Sequence, residues 1–271
     1  MQDELRKEAS KVIHQALSPN YHSDEIHALK FWLIDALLEI PQTLWFDNME
    51  QWKALLDNHT PIQYIFNRAF FGNLELYVDP NTLIPRPETE ELCELLLNHS
   101  QNSKHSSHHV IDIGTGSGCI PLWLKHNRPH WNITGLDVSK NALEIARKNA
   151  FSNNLEVEFI EEDFLKIESI PEQYSILISN PPYIKKNQIS KLNKNVINFE
   201  PHLALFVENN DPLIFYKKIA KLLEKNHSIK QVWLEIDTES AAENVLIFKK
   251  LGAAEIIIDY SGNPRFIFLN R

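Results

Sequence analysis

The chain has 271 residues, enough for a sizeable core in one large domain or two smaller ones. Hydrophobic residues make up 43% and charged residues 23%, the balance of a globular protein, and a formal net charge of −9 weighs against an electrostatic grip on long naked nucleic acid. The only cysteines, Cys93 and Cys119, lie far apart and outside any metal-type spacing, so a reducing compartment without a disulfide framework is expected.

The first residues, MQDELRKEAS, are charged and unlike a secretory signal, and no apolar run approaches the ~20 residues of a membrane helix. A cytoplasmic protein with no membrane association is expected. Residues 1–70 read as a small helical domain. Ile26, Leu29, Leu33, Ile34, Leu37 and Leu38 recur at three- and four-residue steps, Ser23 stands at a helix start, and no glycine precedes Gly72. Trp32, Trp45 and Trp52 read as core or partner-facing anchors.

Residues 71–92 read as a connector. Leu74, Leu76 and Val78 alternate as in a short strand or hairpin, Pro80, Pro85 and Pro87 stiffen the chain, and Glu88, Glu90 and Glu91 suit the positive end of a helix. The polar stretch NHSQNSKHSSHH, 98–109, reads as a loop whose histidines, His99, His105, His108 and His109, are too loosely spaced for a metal site; no metal is expected anywhere.

The third region, 93–271, changes to strand–helix alternation from Val110 onward. Candidate strands are Val110–Ile113, Trp131–Leu136, Leu155–Ile160, Ser175–Ile178 and Gln231–Ile236, with helical patterns over 139–152, 211–225 and 238–251. Short apolar strands separated by helices predict an α/β domain with a parallel sheet covered on both faces. Glu255–Ile258 and Arg265–Leu269 close the chain around a turn, so the last strand is expected to run antiparallel.

DIGTGSG, 112–118, follows the first of these strands and opens a helix. Gly114, Gly116 and Gly118 permit positive φ and close approach of loop N–H groups to a ligand. Asp137 ends the second strand, where an open α/β fold places the carboxylate that accepts from a ribose diol. The pair points to an adenosine-containing ligand. The spacing is not Gly-x-Gly-x-x-Gly, and no Gly-Lys-Ser/Thr is present, so dinucleotide and triphosphate loops are disfavoured and S-adenosylmethionine, which has no phosphate, fits. Phe164, after Asp163, reads either as a ring for stacking on adenine or as core.

SNPPYI, 179–184, stops the fourth strand at a rigid corner. Asn180 should stand beside the glycine loop, with its side-chain carbonyl and the backbone carbonyl of Pro181 as two fixed acceptors. Pro181 and Pro182 restrict the backbone, and Tyr183 offers a flat face to a planar group. Such a corner suits an NH₂ on an amide or on a nucleic acid base. The chemistry it predicts is in-line methyl transfer, with no metal, no covalent intermediate and no obvious strong base.

With these motifs the chain resembles the release factor glutamine N5-methyltransferases, the HemK or PrmC family. The resemblance runs over nearly the whole chain: PIQYI (61–65), TLIPRPETEEL (82–92), DIGTGSG, Leu136-Asp137, SNPPYI, FEPHLAL (199–205) and SGNPRFI (261–267). It implies a seven-stranded Rossmann-like class I methyltransferase domain, preceded by a helical domain that helps dock the substrate and joined to it by a hairpin. It implies that Gly114, Thr115, Gly116, Ser117, Gly118, Asp137, Phe164 and Asn180 bind S-adenosylmethionine, leaving S-adenosylhomocysteine as product. Asn180, Pro181, Pro182 and Tyr183 would hold the glutamine of the Gly-Gly-Gln loop of a peptide chain release factor. The partner would be that protein with no nucleic acid required, and the enzyme a monomer. The competing readings are a ribosomal-protein glutamine methyltransferase, an enzyme methylating an exocyclic amine of an RNA or DNA base, and an inactive binding module. Two positions depart from the family pattern. Asp237 stands where a glycine is usual, and no glycine lies near Asn67.

Overall fold

The computed structural model describes residues 2–100, 107–207 and 211–271, which fall into two compact units. Residues up to Asn67, together with Lys194–Phe199, form the first, and Arg68–Asn193 with Glu200–Arg271 form the second.

The first unit contains α1 (Gln2–Leu17), α2 (Ser23–Leu38), α3 (Trp45–Asp57) and the single turn α4 (Ile62–Ile65). The Glu25 carboxylate accepts the His22 N–H at 2.9 Å and so closes the open start of α2. The apolar stripes meet in one core built on Ile13, Leu17, Leu33, Leu37 and Met49, each Leu or Ile stabilising it by roughly 1.5–3 kcal/mol. The unit ends at Asn67, a few residues before 70, because Ala69 already begins a strand. Asn67 takes φ +50°, the left-handed conformation for which a glycine was expected nearby; asparagine is the side chain that tolerates it best.

The second unit opens with the antiparallel hairpin of β1 (Ala69–Phe71) and β2 (Leu74–Leu76). α5 (Pro87–His99) follows, with Pro87 in its first turn, where the missing N–H has no helical partner to lose. Then come β3 (His109–Ile113), α6 (Cys119–Asn127), β4 (Asn132–Asp137), α7 (Lys140–Ser152), β5 (Glu158–Glu161), β6 (Ile176–Ser179) and β7 (Ile184–Lys185). α8 (Lys194–Phe199), assigned to the first unit, is followed by α9 (His202–Leu205), β8 (Phe206–Val207), α10 (Ile214–Lys225), β9 (Gln231–Glu235), α11 (Ala241–Phe248), β10 (Ala253–Ile258) and β11 (Pro264–Asn270).

Seven strands form one sheet in the order β10-β11-β9-β6-β3-β4-β5. β9, β6, β3, β4 and β5 are parallel, and β11 runs antiparallel to both β9 and β10. Alternate residues feed two cores. Ile111, Ile113 and Leu177 pack on one face, and Val110, Ile176 and Ile178 on the other. That is why the strands read as unbroken apolar runs. No helix among the described residues is long and apolar enough to cross a membrane.

Two local readings are corrected. The stretch 98–109 is not all loop: Asn98 and His99 finish α5, and His109 starts β3, while 101–106, including His105, lie outside the described residues. The His99 ring lies 5.5 Å from Trp233 and 4.6 Å from Phe268, so packing at long range holds a residue that looks solvated in sequence. The third strand of the alternating region starts at Glu158 rather than Leu155. Asn154 turns to φ +53° and the Leu155 N–H returns to Ala150, ending α7 before the strand can begin.

Candidate active site

The β3–β6 register pairs Ile113 with Ser179. Gly114 and Asn180, the next residues on each chain, therefore leave the sheet side by side at its carboxyl ends, where open α/β sheets bind ligands. On the other side of β6, Ser179 pairs with Leu234 of β9, which brings Glu235 alongside Asn180.

The glycine loop is closed by its own backbone. The N–H groups of Gly114 and Thr115 donate to the Leu136 carbonyl at 2.8 and 3.0 Å, and the Gly118 N–H donates to Thr115 at 2.9 Å. The Gly116 N–H donates to Asp137 Oδ2 at 2.8 Å, while Asp137 Oδ1 accepts from Ser139 N–H at 2.9 Å. These N–H groups are thus spent inside the fold, contrary to the expectation that they would be offered to a ligand. What the loop offers is room. Gly114 and Gly116 sit at φ +76° and +55°, and a Cβ at either would meet nothing within 4 Å.

Two carboxylates lie under this loop. Burial raises the Asp137 carboxyl above its usual range, against the pull of its N–H partners on Ser139 and Gly116. Asp112, fully buried, is pushed up to about 7 by burial; the nearby Thr115 hydroxyl lowers it and Asp137 raises it further. Neither Asp112 oxygen meets hydrogen-bond geometry, so the Thr115 hydroxyl acts at a distance. With acidic groups beneath it and the N–H groups of Gly114, Thr115, Gly116 and Gly118 already used, the loop is poorly suited to phosphate. It fits a ligand with a ribose diol and positive charge. Each Asp137 oxygen keeps a second lone pair for such a diol.

At the corner, Asn180 Nδ2 donates to Thr89 Oγ1 at 2.9 Å, and Thr89 Oγ1 donates to Glu235 Oε2 at 2.7 Å. Asn180 is half-buried, whereas Thr89 and Glu235 are each about 3% exposed. Pro181 is buried, and Pro182 and Tyr183 are half-buried, Tyr183 lying against the core of one sheet face. Burial pushes the Tyr183 phenol up, with Glu235 adding to the shift, so it stays a neutral hydroxyl. Beyond the corner, β7 pairs in parallel with β8 and fixes the exit of the chain. Gly114, Thr115, Gly116, Ser117, Gly118, Asp137 and the 180–183 corner are therefore grouped at the ends of three adjacent strands. Phe164 lies in the core at 4% exposure, with its ring parallel to Phe215 at 6.5 Å.

Sequence reasoning did not single out Thr89, Glu235 or Glu200. The buried Glu200 carboxylate accepts from the Ile84 N–H at 3.2 Å and pairs with Arg86, tying FEPHLAL to LIPRP. Removing Arg86, itself partly exposed, would leave the buried Glu200 carboxylate without its counter-charge. Glu91 accepts the Tyr260 N–H at 3.1 Å, and Asp259 holds Ser261, Asn263 and Arg265, so SGNPR is a braced turn. The only signal for these contacts was that the motifs occur together. Asp237, the departure from the family pattern, adopts φ −71°, which needs no glycine.

The family model described as methyltransferase small domain matches residues 88–201. The release factor glutamine methyltransferase of Flavobacterium psychrophilum is 38% identical over 274 aligned residues, covering 94% of this chain and 95% of that one. A protein of the same name from Lactococcus lactis subsp. lactis is 45% identical over 217 residues, 78% of each chain. Among solved structures, the hMettl16 catalytic domain in complex with MAT2A 3'UTR hairpin 6 matches with a TM-score of 0.55 at 19% identity, over 74% of this chain and 76% of that one, which shows a shared fold alone. The chain belongs to the release factor glutamine methyltransferase family.

Proposed function

We propose that this enzyme transfers a methyl group from S-adenosylmethionine to the side-chain amide nitrogen of the glutamine in the Gly-Gly-Gln loop of a peptide chain release factor. The observation that carries the reading is the β3–β6 register, which sets the Asn180 corner beside the glycine loop. Gly114 to Gly118 and Asp137 would hold the cofactor, with Asp137 accepting from the ribose; bound there, it supplies an electrophilic methyl carbon on a sulfonium.

The residues of the corner handle the nucleophile. An amide nitrogen is weak because its lone pair is delocalised into the carbonyl, so alignment and exclusion of water must do most of the work. Asn180 spends its Nδ2 on Thr89 and keeps Oδ1 as an acceptor. Oδ1 and the Pro181 carbonyl would take the two N–H bonds of the substrate amide, fixing the direction of its lone pair. As the new N–C bond forms, the methyl–sulfur bond would break with its electron pair staying on sulfur, and positive charge would build on that nitrogen; Oδ1 would stabilise it through the N–H proton, which passes to bulk water once the transfer is complete. Tyr183, neutral and half-buried, would lie against the flat amide.

The helical unit would contribute docking, since it leaves Phe31 about 60% and Phe46 about 59% exposed, apolar anchors of the kind that protein partners cover. Incubating the enzyme with labelled cofactor and either an intact release factor or a short Gly-Gly-Gln peptide, then mapping the label by mass spectrometry, tests both claims. Methyl on the glutamine, faster on the intact protein, is expected. Label on RNA or DNA instead, or on another residue, overturns the substrate; equal rates on protein and peptide overturn the docking role.

A further inference from the structure

We infer that Thr89 and Glu235 are positioning residues that set which way round the Asn180 amide faces, so that an acceptor and not a donor is presented to the substrate. The inference rests on the role proposed above for Asn180 and names what enforces it.

A carboxylate can only accept, so Thr89 must give its single hydroxyl proton to Glu235, 2.7 Å away. The Thr89 oxygen then has only lone pairs left for Asn180, 2.9 Å away, and Asn180 must turn its NH₂ toward it. Oδ1 is thereby left on the opposite side of the amide. Without the carboxylate, Thr89 is free to donate to Asn180 Oδ1; the amide then turns over, and its NH₂ meets the substrate NH₂, donor against donor.

Burial makes this relay exclusive, since Thr89 and Glu235 are almost sealed from solvent. The fold supplies the geometry from three places. Thr89 lies in the first turn of α5, Glu235 ends β9 and Asn180 follows β6, with β9 and β6 in register beside each other.

The relay has one polarity only while Glu235 is ionised. Burial pushes its carboxyl up to about 7; Arg265 and Arg86 favour the charged form and Glu88 opposes it. Tyr183, Tyr216, Cys93 and Cys119 also face it, each with its acid form favoured by burial, so they add no charge. The share of correctly turned Asn180 therefore rises with pH across neutrality.

The test uses the full-length enzyme with a purified release factor, reading kcat and KM against pH and S-adenosylmethionine affinity by calorimetry. Thr89→Val keeps the shape and removes the hydroxyl; kcat is expected to fall about 100-fold while cofactor affinity stays within about threefold. Thr89→Ser, which restores the hydroxyl, should recover most of the rate. Glu235→Gln offers Thr89 a donor as well as an acceptor, and should lower kcat about tenfold and remove the rise across neutral pH. Wild-type kcat in Thr89→Val, a loss that Thr89→Ser shares, or an equal loss of cofactor affinity overturns the relay. Asn180→Ala separates the layers. If it keeps full activity, the reading of Asn180 itself fails; if it is inactive while Thr89→Val is fully active, only the relay fails.

Discussion

In the glycine loop the N–H groups of Gly114, Thr115 and Gly116 find partners on the neighbouring strand end, at Leu136 and Asp137. At the Asn180 corner the polar atom is held instead by Thr89, 91 positions away, which is held in turn by Glu235, 146 positions further along the chain than itself. The loop is a backbone device that makes space, and side chains matter to it mainly at Asp137. The corner is a side-chain device that aims one atom. The difference predicts separate failures: damage to the loop should cost cofactor affinity, and damage to the corner should cost rate.

The largest expected effect is that of Asn180→Ala. It would remove the acceptor that the proposed mechanism aims at the reacting nitrogen, and kcat should fall on the order of 10²–10³-fold with little change in cofactor affinity. Asp137→Ala should act the other way. It would delete the proposed ribose acceptor and leave the Gly116 N–H without its partner, which at about 2–3 kcal/mol should weaken cofactor affinity roughly 30- to 150-fold by calorimetry. A loss of kcat at saturating cofactor as large as that of Asn180→Ala would break the division between the two regions.

The same division marks what could be read in the sequence. Alternating apolar strands and helices, three glycines after a strand and an aspartate at the end of the next are local patterns, and the sheet and the loop follow from them. Asn180, Pro181 and Pro182 were legible as a strand stop for the same reason. Thr89 and Glu235 were not, because each is an ordinary residue for its element and gains its role from partners far along the chain. His99 looked like loop for a related reason: its place in α5 depends on Trp233 and Phe268. Phe164 shows the converse limit. Its position after a strand end suits a ligand platform and a core residue equally, and the neighbour it packs against, Phe215, lies too far along the chain for any local pattern to show.

The smallest effect is a matter of pH and bears on both regions at once. Burial lifts the Glu235 carboxyl of the corner from 4.5 to about 7, and the Asp112 carboxyl beneath the loop from 3.8 to about 7. A carboxyl raised on folding binds its proton more tightly in the native state than in the unfolded chain. Its stabilising effect is complete below the unfolded value and is lost as pH rises through the folded one. The unfolding temperature should therefore fall from about pH 5 to about pH 8 at constant ionic strength, by several degrees in scanning calorimetry. Glu235→Gln should remove part of the slope, and Asp112→Asn a further part. Catalysis should move oppositely over this range, since the ionised Glu235 that weakens the fold is the form that turns Asn180 correctly. If the rate and the unfolding temperature rose together between those pH values, Glu235 would not be the group that links them, and the rise in rate would belong to another titrating group.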